Sequence, residues 1–189
     1  LGTFISGMII LLFVGEPIAA IMKGLEVWLS GMQNSSKIVL GIILGSMIAF
    51  DMGGPLNKTA FFFAVAMIPT NPTLMAAVAT AVCTPLLGLA LATFIAKKKF
   101  TVAEQESGKA ALIMGCIGIT EGAIPFAAAD PLKVIPSIMI GGAAASVTSL
   151  MLGSTSQAAW GGLIVLLVVS NRIGYIIAVI VGSVVTALV

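Results

Sequence analysis

The sequence predicts an all-α, polytopic integral membrane protein with two re-entrant, broken helical hairpins. Three observations carry this expectation. Of 189 residues, 59% are hydrophobic and only 8% are charged, and the mean hydropathy is +1.19; a soluble domain covers its surface with about 25% charged residues. Whole segments are apolar instead of alternating at every second residue, which selects helices over a transmembrane barrel. Two breaks rich in Gly, Pro and charge follow apolar runs too short to cross a bilayer, Ile38 to Phe50 and Ala110 to Ile119, in a half-helix, break, half-helix pattern.

Composition also sets aside several function classes. A soluble enzyme, a disordered chain and a nucleic-acid binder do not fit, and the net charge of +2 asks for no polyanionic partner. The chain has no His, so His-based metal sites and His-based acid–base catalysis are excluded; neither a metal nor a cofactor is expected. Cys83 and Cys116 lie inside apolar stretches without CxxC spacing and read as small hydrophobes. The chain starts with Leu, and its first stretch has neither a basic n-region nor an A-x-A site. It reads as a fragment of a longer polypeptide, with residues 1–189 forming one membrane domain.

The elements follow in order. Leu1 to Val14 is apolar, passes through Gly15-Glu16-Pro17 and continues as Ile18 to Leu29. This predicts a membrane helix kinked near Pro17 with an interfacial end near Trp28. Gly31 to Ser36 is a polar turn. Ile38 to Phe50 is apolar, and Gly41 and Gly45 form a G-x-x-x-G face suited to close helix contact. The run stops at Asp51-Met52-Gly53-Gly54-Pro55-Leu56-Asn57-Lys58, and a second short run, Thr59 to Ile68, ends at Pro69. This is the first broken hairpin.

Leu74 to Ala96 is the clearest full span, about 34 Å as helix at 1.5 Å per residue, with Pro85 inside it. Lys97-Lys98-Lys99 and the polar stretch to Lys109 follow, and the positive-inside rule places them in the cytoplasm. Ala110 to Ile119 is short and apolar. It meets Thr120-Glu121-Gly122-Ala123-Ile124-Pro125, then Asp130-Pro131, before Val134 to Leu152 resumes. This is the second broken hairpin, and Asp130-Pro131 has the form of an N-cap followed by Pro at the first helical position. Gly153 to Gln157 is polar, Trp160-Gly161-Gly162 follows, and Ile173 to Val189 is a last helix.

Buried charge points to function, because a carboxylate or ammonium in hydrocarbon costs several kcal/mol. Glu121 sits at a break beside Gly118, Gly122 and Pro125, where freed backbone groups join a carboxylate. That set suits a polyol, whose hydroxyls both donate and accept; a carboxylate capping the next half-helix is the other reading. In the first break, Asn57 can donate and accept, and Lys58 can pair with Asp51 or a phosphate; an interfacial turn with Asp51 as cap and Lys58 snorkelling is the alternative. Gln157 and Trp160 flank a third polar break, where Trp160 can stack on a sugar ring or lie at the interface. Broken helices with buried carboxylates are equally the mark of an ion-coupled secondary transporter. Because non-helical backbone at membrane depth must line a cavity or be covered by protein, the two breaks are expected to share one cavity, with Asn57 and Glu121 both on it.

The strings FDMGGPLNKTAFFF, GKAALIMG, GITEGAIPFAAADPLKVIPSIMIGGA and GGLIVLLVVSN resemble the membrane component, enzyme IIC, of the fructose family of the bacterial phosphoenolpyruvate-dependent sugar phosphotransferase system. The resemblance implies a permease of the bacterial inner membrane that moves sugar inward while a phosphocysteine on an enzyme IIB domain phosphorylates it. It further implies that this chain is similar to the C-terminal, substrate-binding half, with a homodimer scaffold supplied by the missing N-terminal helices. On this likeness Glu121 is the catalytic residue. Asp51, Gly54, Asn57, Lys58, Thr120, Glu121, Gly122, Gln157 and Trp160 are the substrate-binding set, and the neighbours of the chain are sugar, phosphorylated IIB and membrane lipid. One departure stands out: the family commonly has Pro-His-Gly-Gly where this sequence has Ala159-Trp160-Gly161-Gly162.

Overall fold

The computed structural model describes residues 8, 15–32 and 36–189. The apolar segment Leu1–Val14 and the core of the turn Gly31–Ser36 therefore lie outside the described residues, apart from Met8 and the ends of that turn. Among the described residues the chain is all-helical, with a single isolated antiparallel bridge, Ser156 to Val169, in place of any strand.

Eight α-helices follow one another among the described residues: α1 Gly15–Gly31, α2 Lys37–Phe50, α3 Pro55–Ala66, α4 Pro72–Ile95, α5 Val102–Ile117, α6 Ile124–Ala129, α7 Pro131–Leu152 and α8 Arg172–Leu188. Short 3₁₀ turns at Lys97–Lys99, Glu121–Ala123 and Leu163–Leu167 join them. Of these helices, α4 with 24 residues and α7 with 22 are long and apolar enough to cross a membrane. The run from Val134 to Leu152, expected as a half-helix, is thus part of a full-length helix, because its start extends back to the Asp130-Pro131 cap.

The bundle is built around α4, which packs against α5, α7 and α8. Every residue from Leu74 to Leu86 is buried. A helix that is apolar on all sides has no solvent face and takes the centre of a bundle. Its polar side chains are compatible with that place because Thr80, Thr84 and Thr93 donate back to the carbonyls of Ala77, Thr80 and Ala90. Ser146 of α7 adds a cross-helix bond to Ala77 O at 2.9 Å.

Small residues set the helix spacings. The expected G-x-x-x-G face of α2 does meet a neighbour: a Cβ on Gly45 would lie 2.5 Å from the Gly142 carbonyl carbon of α7, and one on Gly41 would lie 3.0 Å from Val147. Gly182 of α8 approaches α7 in the same way, 2.6 Å from a built Cβ to that of Ala145. Without a hydrophobic drive between helices in lipid, such backbone approach is what van der Waals packing needs. The outward side chains are correspondingly apolar: Leu132, Leu167 and Leu188 are 87%, 81% and 76% exposed, a surface that water would penalise.

One boundary differs from the sequence expectation. The polar stretch after Lys99 forms the first half of α5. Thr101 and Glu104 make a capping box, the Thr101 side chain accepting from Glu104 N and the Glu104 carboxylate accepting from Thr101 N at 2.7 Å. The T-x-x-E spacing carries that signal. As a result α5 has 16 residues and rises about 24 Å, more than its apolar portion alone.

Candidate functional site

Two of the helix breaks come together across one cavity. The first lies between α2 and α3. Met52 and Gly53 take positive φ, 47° and 107°, which turns the chain back in two residues; the conformation at Gly53 is one that a side chain disfavours. The Asp51 carboxylate accepts from Leu56 N at 2.7 Å and Asn57 N at 2.9 Å, so it caps the start of α3. Asn57, buried, donates from Nδ2 to Ile48 O near the end of α2, tying the two helix ends to each other. Lys58 projects from the first turn of α3.

The second break follows α5. Gly118 ends the helix in the left-handed region, φ 90°. Thr120 is buried beside Glu121, and its hydroxyl lies 3.4 Å from Glu121 Oε2. Glu121 faces the first break: its Oε1 is 3.6 Å from Lys58 Nζ, with about half of each side chain exposed (48% and 44%). Gly53 allows this approach, since a Cβ there would lie 2.8 Å from Glu121 Cδ. Further on, Asp130 caps α7 as expected, accepting from Lys133 N. The Lys133 ammonium at 2.7 Å holds the Asp130 carboxyl below the usual carboxylate range.

A third stretch of non-helical chain closes the same space. Trp160 Nε1 donates to Ile117 O at 2.8 Å, taking one of the carbonyls that the end of α5 leaves free. Gly161 and Gly162 lie directly on the α5 terminus: a Cβ on Gly118 would meet the Gly161 carbonyl carbon at 2.6 Å. Tyr175 of α8 is buried and donates to Gly162 O at 2.8 Å, fixing this stretch from below.

The resulting open cavity has a volume of about 630 Å³. Asn57, Lys58, Thr120 and Glu121 form its polar wall, and Phe61, Phe62 and Trp160 its aromatic one. The expectation that Asn57 and Glu121 share a cavity is met. The other candidates stand elsewhere. Asp51 and Gly54 belong to the α3 cap and not to the cavity wall. Lys58 pairs with Glu121 instead of Asp51, because the Asp51 oxygens already hold backbone N–H groups. Gly122 packs on Met114 and Leu86, and Gln157 is exposed away from the cavity wall. Gly53, Phe61, Phe62 and Gly118 are on or against the site and were not among the candidate site residues; the two glycines were visible as parts of the breaks, whereas Phe61 and Phe62, edge to face at 5.8 Å, read as ordinary apolar residues of a short helix.

Comparison with known proteins bears on what this cavity serves. The chain is 52% identical over 187 residues to the Fructose-like permease IIC component 2 of Escherichia coli, covering 98% of this chain and 52% of that protein. It is 41% identical over 190 residues to the Fructose permease IIC component of Bacillus amyloliquefaciens, covering 100% of this chain and 62% of that protein. Over nearly its whole length the chain is similar to proteins named as fructose permease IIC components. It is also 46% identical to the PTS system fructose-specific EIIB'BC component of Xanthomonas campestris, over 99% of this chain and 33% of that protein. The chain thus spans about half the length of the first of these relatives and a third of the EIIB'BC protein. No family model matches the sequence, and no solved structure matches it. Two of the strings that carried the resemblance contain DMGGPLNK and TEGAIP, the two breaks that meet at the Lys58–Glu121 pair.

Proposed function

We propose that this chain is the sugar-binding part of a bacterial inner-membrane permease IIC. In this reading it takes a fructose-like sugar into the cavity between its helix breaks and presents it to a phosphorylated IIB domain. The observation that carries the reading is the Lys58–Glu121 pair on the wall of an open cavity, in a chain whose relatives are named as fructose permease IIC components. Relatives named EIIB'BC support IIB as the phosphate donor. On the same reading α2–α3 and α5–α6 are re-entrant hairpins whose tips meet within the membrane, and a homodimer forms through helices N-terminal to this chain.

The residues suit phosphoryl transfer. A sugar hydroxyl bound at Glu121 is oriented by the carboxylate, which accepts its proton as the hydroxyl oxygen bonds to phosphorus and the phosphocysteine S–P bond breaks. The thiolate leaves on IIB. Positioning and electrostatics supply most of the rate in such transfers. Lys58, released from Glu121 as the sugar enters, offsets the charge of the incoming phosphoryl oxygens. Phe61, Phe62 and Trp160 face the apolar C–H surface of the sugar ring.

The test is phosphoenolpyruvate-dependent sugar phosphorylation by the full-length permease with its IIB domain. Glu121→Gln keeps expression and thermal stability and lowers phosphorylation by at least about a hundredfold, the scale of a lost general base. Unchanged phosphorylation in that variant removes Glu121 from the chemistry. Uptake that follows an ion gradient, without phosphoenolpyruvate, refutes the whole reading in favour of secondary transport.

A further inference from the structure

A second hollow shares no residue with the cavity above. It is a groove of about 280 Å³ between α4, α5 and α8, walled by Leu87, Leu91, Phe94, Leu112, Ile180 and Val184. Its walls carry no charged group. Ser183 also lines it, buried, and the Ser183 hydroxyl has no protein partner. The groove opens outward, since Phe94 and Ile180 are 41% and 55% exposed.

One end of this groove is electropositive. Phe94 precedes the last residue of α4, and the chain then turns through Lys97, Lys98 and Lys99, all exposed. Gln105 Nε2 donates to Lys97 O and Phe100 O, each at 3.0 Å, and Gly108 of α5 packs on Thr93 of α4. The lysine turn is therefore fixed at the α4–α5 end of the groove. Among the described residues no carboxylate lies within ion-pair distance of these three lysines. Lys109 is matched by Glu106 at 2.6 Å, and Glu104 is engaged by Thr101.

We infer that this groove is a binding site for an anionic phospholipid, with one acyl chain between α4, α5 and α8 and the headgroup phosphate on Lys97–Lys99. The two ends of the site ask for two chemistries at once. The walls need an apolar chain, because a water in a slot lined mainly by Leu, Ile and Phe finds the Ser183 hydroxyl alone, fewer polar partners than an ordered water needs. The rim needs an anion, because three uncompensated ammonium groups repel one another. A phospholipid supplies both in one molecule. A further protein helix suits the walls but not the rim, since Lys is depleted at packed protein interfaces. Each basic residue near an anionic headgroup adds to the attraction, so the three act together. The inference requires only that the chain is a membrane protein, and stands apart from the sugar site.

The experiment uses the full-length permease extracted in mild detergent. Native mass spectrometry detects retained lipid, and reconstitution compares phosphatidylglycerol with phosphatidylcholine. One anionic phospholipid stays bound to the natural protein, and millimolar inorganic phosphate does not displace it. Leu91→Trp fills the groove and abolishes retention; Ile180→Trp, on the exposed wall, replaces it if Leu91→Trp does not fold. Replacing Lys97, Lys98 and Lys99 together by Gln lowers the preference for phosphatidylglycerol on the order of a hundredfold while a lipid of either kind still binds. The inference is overturned by a natural protein that retains no lipid or shows no headgroup preference. It is equally overturned by retention that survives the filled groove, or by displacement with free phosphate.

Discussion

At the scale of single residues, the contact between Gly53 and Glu121 makes the sharpest demand. Gly53 holds φ 107°, and the place of its absent Cβ is taken by the Glu121 carboxylate. Gly53→Ala meets two obstacles, backbone strain and displacement of the carboxylate from Lys58. Strain of this kind is worth about 1–3 kcal/mol, so we expect sugar phosphorylation to fall about tenfold or more with the protein still inserted. The two effects separate in a double variant. Glu121→Asp shortens the acid by one carbon and gives room for the new methyl, so Gly53→Ala combined with Glu121→Asp should lose less activity than the product of the two single losses in a phosphorylation assay. Strictly multiplicative losses would mean that the contact between these residues has no bearing on activity.

Lys58 belongs to the same argument. Its pair with Glu121 is half exposed, and pairs of that kind contribute little to stability. Lys58→Gln is therefore expected to leave the melting temperature within about 2 °C, since a change of a few tenths of a kcal/mol moves it little. Phosphorylation of the sugar should fall with it, most visibly at low concentrations of phosphorylated IIB. A large loss of thermal stability would show that the pair is structural.

Among the helices, packing rests on glycine. Gly45 places α2 against the backbone of α7 at Gly142, where no side-chain atom fits. Gly45→Val should lower stability by about 1–3 kcal/mol, the scale of overpacking in a tight core. Gly24 in α1 is the matched control. A Cβ there meets nothing within 4 Å, and Gly24→Ala should raise helix stability slightly, because Ala is the better helix former by about 1 kcal/mol. Thermal unfolding of both variants in detergent compares the sites directly; equal melting temperatures for Gly45→Val and the natural protein would mean that α2 is free to shift away from α7.

For the molecule as a whole, the distribution of basic residues sets the expected orientation. The basic turn Lys97–Lys99 and the capped start of α5 are expected on the cytoplasmic side. Ser107 lies in this region, its hydroxyl bonded back to Ala103 O. A Ser107→Cys variant lacking Cys83 and Cys116 should react with an impermeant thiol reagent only from the cytoplasmic face. Reaction from outside alone would invert the topology and place the lysine turn in the wrong leaflet for the positive-inside rule.

The features that the sequence by itself determined are the local ones. Hydropathy marked α4 as a span, because burial in lipid is a property of each residue's own side chain; that α7 is also long enough to cross appeared only in the structure. Gly, Pro and charge marked the two breaks, because backbone freedom and missing N–H groups act within a few residues. Asp130 was readable as a cap for the same reason. Tertiary structure alone decided which groups meet. Lys58 could have paired with Asp51, seven residues away, but Asp51 is held by the first N–H groups of α3, and Glu121 arrives from the turn after α5. Trp160 could have lain free at an interface, but the end of α5 leaves the Ile117 carbonyl in reach of its indole. The aromatic wall of Phe61 and Phe62 became part of a cavity only because α3 folds back along α2. Each of these depends on how distant segments approach, as where Gly53 admits the Glu121 carboxylate and Gly118 lies on Gly161, an arrangement that no single stretch of sequence contains.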